Sequence, residues 1–243
     1  MKYPPFVNLL ALSTSLNRTK KQKKLNNLLL QTWRAEGCLG DLLQADDCCK
    51  ILRAKVDEKD QTFGHQEQTV VKALQMTAVS LYARATSTSG GLGERGSIQL
   101  NKSQLTKDQK EDHASLVALR NQAFAHVNPQ HKMGNRVWHK VVLFAVPNWI
   151  GQWSLAASTN ETTWNRDTLE CLERMLPVAI EFVQERFGIR LKEAREALND
   201  AGIEDKTCKK HLFDPVEVFR SDAVVKQILE ARGKMSSRLR VEE

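Results

Sequence analysis

Long stretches of this chain repeat their apolar residues at intervals of three and four, and that spacing commits most of it to packed helices. Between Gln66 and Ala85, Val70, Leu74, Ala78, Leu81 and Ala85 fall on one stripe. The same rhythm runs through Leu25, Leu28, Leu29, Trp33, Leu39, Leu42 and Leu43, in a helical region reaching about Leu52. It returns in Leu116, Leu119 and Ala123, and again in Leu169, Leu172, Leu176, Ile180 and Val183 between Asn165 and Phe187. Thr106-Lys107-Asp108-Gln109 is a capping box that opens a helix running to about Val127, because Pro129 disfavours helical geometry at Asn128. Pro177 is expected to kink its helix and Gly188 to end it. A short helix from Leu191 to Ala201 closes at Gly202, and Asp214-Pro215 starts a last one that runs to about Arg232.

One segment breaks the pattern. From Arg136 to Thr159 the chain turns β-branched and apolar, with Pro147-Asn148 as a turn signal, which predicts a two-stranded hairpin at about 136–157. Trp138, Trp149 and Trp153 sit where packing of that hairpin accounts for them. The fold class expected is therefore mainly α, with a small β-hairpin insertion and C-terminal helices.

With 243 residues, 41% hydrophobic and 27% charged, the composition is that of a soluble globular protein. Five cysteines without a C-x-x-C suggest reduced thiols in a cytoplasmic protein, not a zinc site or a secreted disulfide framework. The early apolar stretch Phe6 to Leu12, broken by Asn8, lacks the flanks of a signal peptide, and nothing approaches the length of a membrane span. A net charge of +7 suits a polyanionic partner. Arg18, Lys20, Lys21, Lys23 and Lys24 cluster before the first long helix, where they either sit on phosphates or form a solvated face.

Thr86 to Asn101 is rich in Ser and Gly and is expected to be a flexible loop. Its Gly91-Leu92-Gly93-Glu94-Arg95-Gly96 matches G-x-G-x-x-G, but a dinucleotide site needs a strand before it and a helix after it. Here a helix precedes and a polar stretch follows, so that reading fails. Patterns for P-loops, G-x-S-x-G hydrolases and H-E-x-x-H metalloenzymes are absent.

Chemistry concentrates in Leu119-Arg120-Asn121-Gln122-Ala123-Phe124-Ala125-His126. A permanent guanidinium fork suits phosphate oxygens, and an imidazole can exchange a proton near neutrality. Together they are the minimum kit for phosphodiester cleavage without metal or cofactor. Arg120, Asn121 and His126 are the candidate catalytic residues. Lys20, Lys21, Lys23, Lys24, Tyr82 and Arg84 are the candidate substrate-binding residues. Each has a structural alternative. His126 can interact with a helix C-terminus. Arg120 can pair with Glu111, Asp112 or another acid on a neighbouring helix, Asn121 can be a buried hydrogen-bonding residue, and Tyr82 and Arg84 can be structural. His113, seven residues before Arg120 and on the same face, can join the site, although exposure is expected of it.

Arg120-Asn121 followed by Ala125-His126 resembles the R-x(4–6)-H signature of HEPN domains, and Val79-Ser80-Leu81-Tyr82-Ala83-Arg84 resembles the helix before that motif in one bacterial group. The resemblance covers roughly residues 66–130. It implies an antiparallel helical bundle over 1–188, centred on 66–130, with 189–243 as a C-terminal helical extension. It also implies a homodimer with the motif facing its copy, and a metal-independent endoribonuclease acting on RNA as a toxin or defence protein, with an antitoxin or other protein partner. Some members are catalytically silent and bind a nucleotide, nucleic acid or partner protein. On the catalytic reading His126 removes a 2′-hydroxyl proton, Arg120 stabilises the charged phosphoryl oxygens and Asn121 orients His126 or a phosphate oxygen. Six residues at about 100° each leave Arg120 and His126 about 120° apart on an ideal helix and about 9 Å along it. A helix end, the reach of the arginine or a second subunit must close that gap.

Overall fold

The computed structural model describes residues 2–57, 63–87, 95–121, 132–133, 136–137, 139–147, 153–161 and 164–230. Gln122 to His131, which include His126, lie outside the described residues, as do Trp149 and the glycine-rich segment 88–94. The chain is mainly helical, with small two-stranded sheets. In chain order the elements are β1 (Phe6–Val7), α1 (Leu9–Ser13), α2 (Lys20–Asp57), α3 (His65–Thr86), α4 (Lys107–Leu119), β2 (Lys132–Met133), β3 (Arg136–Val137), β4 (His139–Pro147), β5 (Trp153–Glu161), α5 (Arg166–Asp200), α6 (Asp205–Lys209), β6 (Leu212–Phe213), α7 (Pro215–Phe219) and α8 (Asp222–Glu230). None of the described helices is long and apolar enough to cross a membrane.

The described residues divide into two compact units, Arg34–Gly188 and the segments on either side of it. Helices α2 and α5 contribute to both. In the larger unit, Leu42, Cys49 and Leu52 of α2 share a core with Ala78, Val79 and Tyr82 of α3, Leu116 and Leu119 of α4, and Leu169, Leu172 and Leu176 of α5. The buried stripe of α3 is Val71, Gln75, Ala78, Tyr82 and Ala85, while Val70 is exposed. The turn is therefore one residue off the apolar reading at its start. Gln75 explains the rotation. Its Nε2 donates to the Asn165 carbonyl at 2.8 Å and its Oε1 accepts from the Asn165 N–H at 3.0 Å. Both ends of the amide are satisfied, so the polar side chain occupies the interior without an unpaired group. Asn165 in turn accepts from the Thr168 N–H at 3.0 Å and caps α5.

Helix α5 corrects the expected break at Gly188: it runs unbroken through that glycine and carries Pro177 inside it, on the exposed side. One interior glycine costs only about 1 kcal/mol. Continuing the helix lets Ala194, Ala197 and Ala201 pack with Leu12, Leu16, Leu25, Leu28 and Leu29 in the second unit. Gly202, at φ +57, lies just beyond the end of α5. The expected C-terminal helix is likewise divided. Asp214 accepts from the Val216 N–H at 2.9 Å as its cap, but Arg220 takes a left-handed φ of 49° and separates α7 from α8. The break leaves Phe219 stacked edge-on with Phe6 and Phe213, whose strands β1 and β6 pair antiparallel.

Strands β4 and β5 form the predicted hairpin, in register from His139↔Glu161 to Pro147↔Trp153. Trp153 corrects the packing expectation, since it is largely exposed.

Candidate functional site

The pocket is built on one face of α4. Lys110, His113, Ala114, Val117, Ala118 and Asn121 recur at intervals of three and four, so they line up along the helix. Opposite them stand Thr86 and Ser87 at the end of α3, and Gln99, Leu100, Lys102 and Leu105 on the connection between the helices. These residues line a half-open cavity of about 690 Å³, within the range of small-ligand sites. Small alanines leave the space, while Leu100, Leu105 and Val117 give an apolar wall and Lys102 and Lys110 bring positive charge.

The capping box that opens α4 is formed as expected. Thr106 Oγ1 accepts from the Gln109 N–H at 3.2 Å, and Gln109 Oε1 accepts from the Thr106 N–H at 3.0 Å. At its other end the Arg120 N–H is shared between the Leu116 and Val117 carbonyls, a three-centre bond common at helix ends. Arg120 Nη1 donates to Asn121 Oδ1 at 2.9 Å, and Asn121 is exposed at the pocket. The acids considered as partners for Arg120 are engaged elsewhere. Asp112 accepts from Arg174 Nε at 2.7 Å and Nη2 at 3.0 Å, and Glu111 lies 3.9 Å from Lys107. Among the described residues, Arg120 therefore has a neutral hydrogen-bond partner and no ion pair. The Arg174 bonds hold the Asp112 carboxyl below the usual carboxylate range. Burial, reinforced by Asp112, pushes the Cys171 thiol up to about 12.

His113 is buried, contrary to the expectation of exposure. Its Nδ1 lies 2.9 Å from the Tyr82 hydroxyl, with the two rings edge-on at 5.8 Å. Burial lowers its pKa, and the Lys102 charge lowers it further, so the imidazole is neutral at physiological pH. Tyr82 is fully enclosed, and burial raises its pKa. It reaches the pocket only through His113.

Arg84 points elsewhere. It grips Asp41 through two bonds, Nε to Oδ2 at 2.8 Å and Nη2 to Oδ1 at 2.7 Å, and Arg95 Nη2 joins Oδ2 at 2.5 Å. Gly37 allows that approach: a Cβ there would stand 2.5 Å from Arg95 Nη1. The Arg95 carbonyl accepts from Arg34 Nε at 2.7 Å, and the Ile98 N–H donates to the Ala85 carbonyl at 2.9 Å. Residues 95–100, expected to belong to a flexible loop, are thus tied down. Lys20, Lys21, Lys23 and Lys24 are exposed on the first turn of α2, in the other unit.

No protein-family model, curated protein or solved structure matches this chain.

Of the candidate residues, Asn121 lines the pocket, Arg120 is bonded to it without lining the cavity, and Tyr82 backs the pocket through His113. Lys102, Lys110, Gln99 and Ser87 are the pocket residues that sequence reasoning passed over. The α4 face was a readable signal for Lys110, because alternation of small and polar residues on one side of a helix leaves a groove. Lys102, Gln99 and Ser87 lie on irregular chain, where no periodicity marks them.

Proposed function

We propose that this chain is an RNA-binding protein of the HEPN type that cuts RNA without a metal, as a dimer. The observation that carries the reading is Arg120, free of any carboxylate among the described residues, beside a cavity of about 690 Å³ whose walls hold Lys102 and Lys110. An apolar wall with two ammonium groups suits one nucleotide of a chain, the base against Leu100, Leu105 and Val117 and the phosphate toward the lysines. The bond from Arg120 to Asn121 fixes the fork that would meet the adjacent scissile phosphate.

In the reaction, His126 accepts the proton of the RNA 2′-hydroxyl. The resulting alkoxide attacks the neighbouring phosphorus in line, and the bond to the 5′-oxygen breaks. Arg120 stabilises the added charge on the phosphoryl oxygens, and the His126 of the second copy returns a proton to the leaving 5′-oxygen. The products are a 2′,3′-cyclic phosphate and a 5′-hydroxyl. A toxin or defence role, with an antitoxin to restrain it, belongs to the same reading through the resemblance.

The test is cleavage of end-labelled single-stranded RNA in excess chelator, with product ends mapped chemically. Cyclic phosphate ends from the wild type, lost in Arg120→Ala and His126→Ala, support the reading. Cleavage that survives His126→Ala, or that needs a divalent ion, rejects it. The second reading, a silent nucleotide-binding protein, is favoured by the volume of the pocket, about 690 Å³. It predicts that wild type and His126→Ala bind a mononucleotide equally and that neither cuts RNA.

A further inference from the structure

The hairpin β4–β5 has no part in the pocket, and its chemistry is unlike any other surface described. Paired residues of an antiparallel ladder point to the same side. Leu143, Ala145 and Pro147 therefore share a face with their partners Ala157, Leu155 and Trp153. All six are exposed, with Leu143 at 72%, Trp153 at 71% and Leu155 at 77% of their full accessibility. The opposite face is less open, with Phe144 at 41% and Val146 at 45%. No charged residue occurs between Val141 and Val146 or between Trp153 and Thr159. The devices that keep sheet edges apart, such as lysines, an internal proline or a bulge, are missing from the middle of both strands. A two-stranded hairpin is marginal in water by itself, so burial of this face stabilises it.

We infer that a second copy of this chain docks on this face, hairpin against hairpin, across a two-fold axis. Three arguments select that occupant. The face carries no charge, which gives a polyanion or a charged peptide nothing to recognise, while an identical apolar face meets it without charge repulsion. A two-fold axis brings each residue of the patch onto the same patch of its copy, so no second kind of surface is required. The six side chains offer roughly 600 Å² per copy, or about 1,200 Å² for the pair, which reaches the lower bound of a specific interface. The inference stands apart from the RNA chemistry and draws on none of its residues.

The test is sedimentation equilibrium of the full chain beside the double variant Leu143→Lys, Leu155→Lys, with circular dichroism to check that both are folded. The wild type is expected to be dimeric at micromolar concentration, and the double variant to dissociate at least about 100-fold more readily. A second readout needs no disruptive change. The emission of Trp153, taken as the difference between wild type and Trp153→Phe, shifts to shorter wavelength as the wild type is concentrated through its dimerisation range. A wild type that remains monomeric at about 100 μM overturns the inference, even if the face then binds lipid vesicles or another protein. So does a dimer that the double variant leaves intact, or a Trp153 emission that ignores concentration. If RNA cleavage is absent while the hairpin dimer stands, the catalytic reading fails alone. If cleavage stands and the dimer forms elsewhere, this inference fails alone.

Discussion

Arginines are used in two opposite ways in the larger unit. Around Asp41, two guanidiniums share one largely buried carboxylate, and the ion pairs fasten residue 95 and the end of α3 to α2. Arg174 with Asp112, and Arg53 with Glu173 at 2.6 Å, repeat that arrangement between helices. At the end of α4, Arg120 bonds to the neutral amide of its sequence neighbour instead. A guanidinium matched to an acid is internally neutralised and holds the fold. Arg120, with an amide and no carboxylate as partner among the described residues, keeps its charge, which on the proposed reading meets an RNA phosphate. Sequence type cannot separate the two uses, because only the fold decides which acid comes within reach.

The contrast breaks most visibly in activity. Arg120→Ala is expected to lower RNA cleavage roughly 10²–10³-fold, the range for removing a stabiliser of developing charge, while the melting temperature barely moves. A large drop in stability with unchanged cleavage would place Arg120 among the structural arginines. Asp41→Ala should do the reverse. Unfolding in urea is expected to show a loss of roughly 2–3 kcal/mol, since two guanidiniums lose their shared acceptor, with RNA binding reduced only through the position of residues 95–100. Arg84→Ala sharpens this, because Arg95 remains to satisfy Asp41. Its cost is about 1 kcal/mol by the same measurement.

Smaller effects test the pocket. Lys110→Gln is expected to weaken binding of single-stranded RNA severalfold and to reduce the slope of log affinity against log salt by about 0.7, the value for one phosphate contact on a single strand. An unchanged slope would remove Lys110 from the interface. Tyr82→Phe deletes the hydroxyl that faces His113 and costs about 1 kcal/mol in thermal or urea unfolding. His113 also predicts a pH dependence. Its folded pKa lies below the unfolded value of about 6.5, so the unfolded chain binds the proton first as pH falls. Its contribution is complete above that value and is lost as pH drops through the window beneath it. Asp112, also lowered, adds a second loss below about 3.9. Melting temperature measured against pH should show the first step in wild type and lose it in His113→Gln.

The helices were legible because burial imposes a period that survives in composition, and α3, the start of α4 and the hairpin fall near their expected bounds, while the expected end of α4 near Val127 lies outside the described residues. What escaped were positions where a local rule lost to a tertiary partner. Gln75 entered the core because Asn165 satisfies it, and His113 because Tyr82 does. Gly188 failed to stop a helix whose next turns had alanines to bury. The Arg120-Asn121 pair was legible as chemistry. Lys110 lies on a helix face that the sequence marks, while Lys102 is hidden on irregular chain. His126 lies outside the described residues, so its geometry with Arg120 rests on the catalytic test.

Residues 95–100 carry one consequence beyond holding the fold. Gln99 and Leu100 wall the pocket, yet their anchor is Arg95 on Asp41 and Gly37, far upstream in the chain. A side chain at position 37 would push the Arg95 side chain from its place against Asp41. The segment that walls the pocket is thus held from a helix that contributes none of the described lining residues.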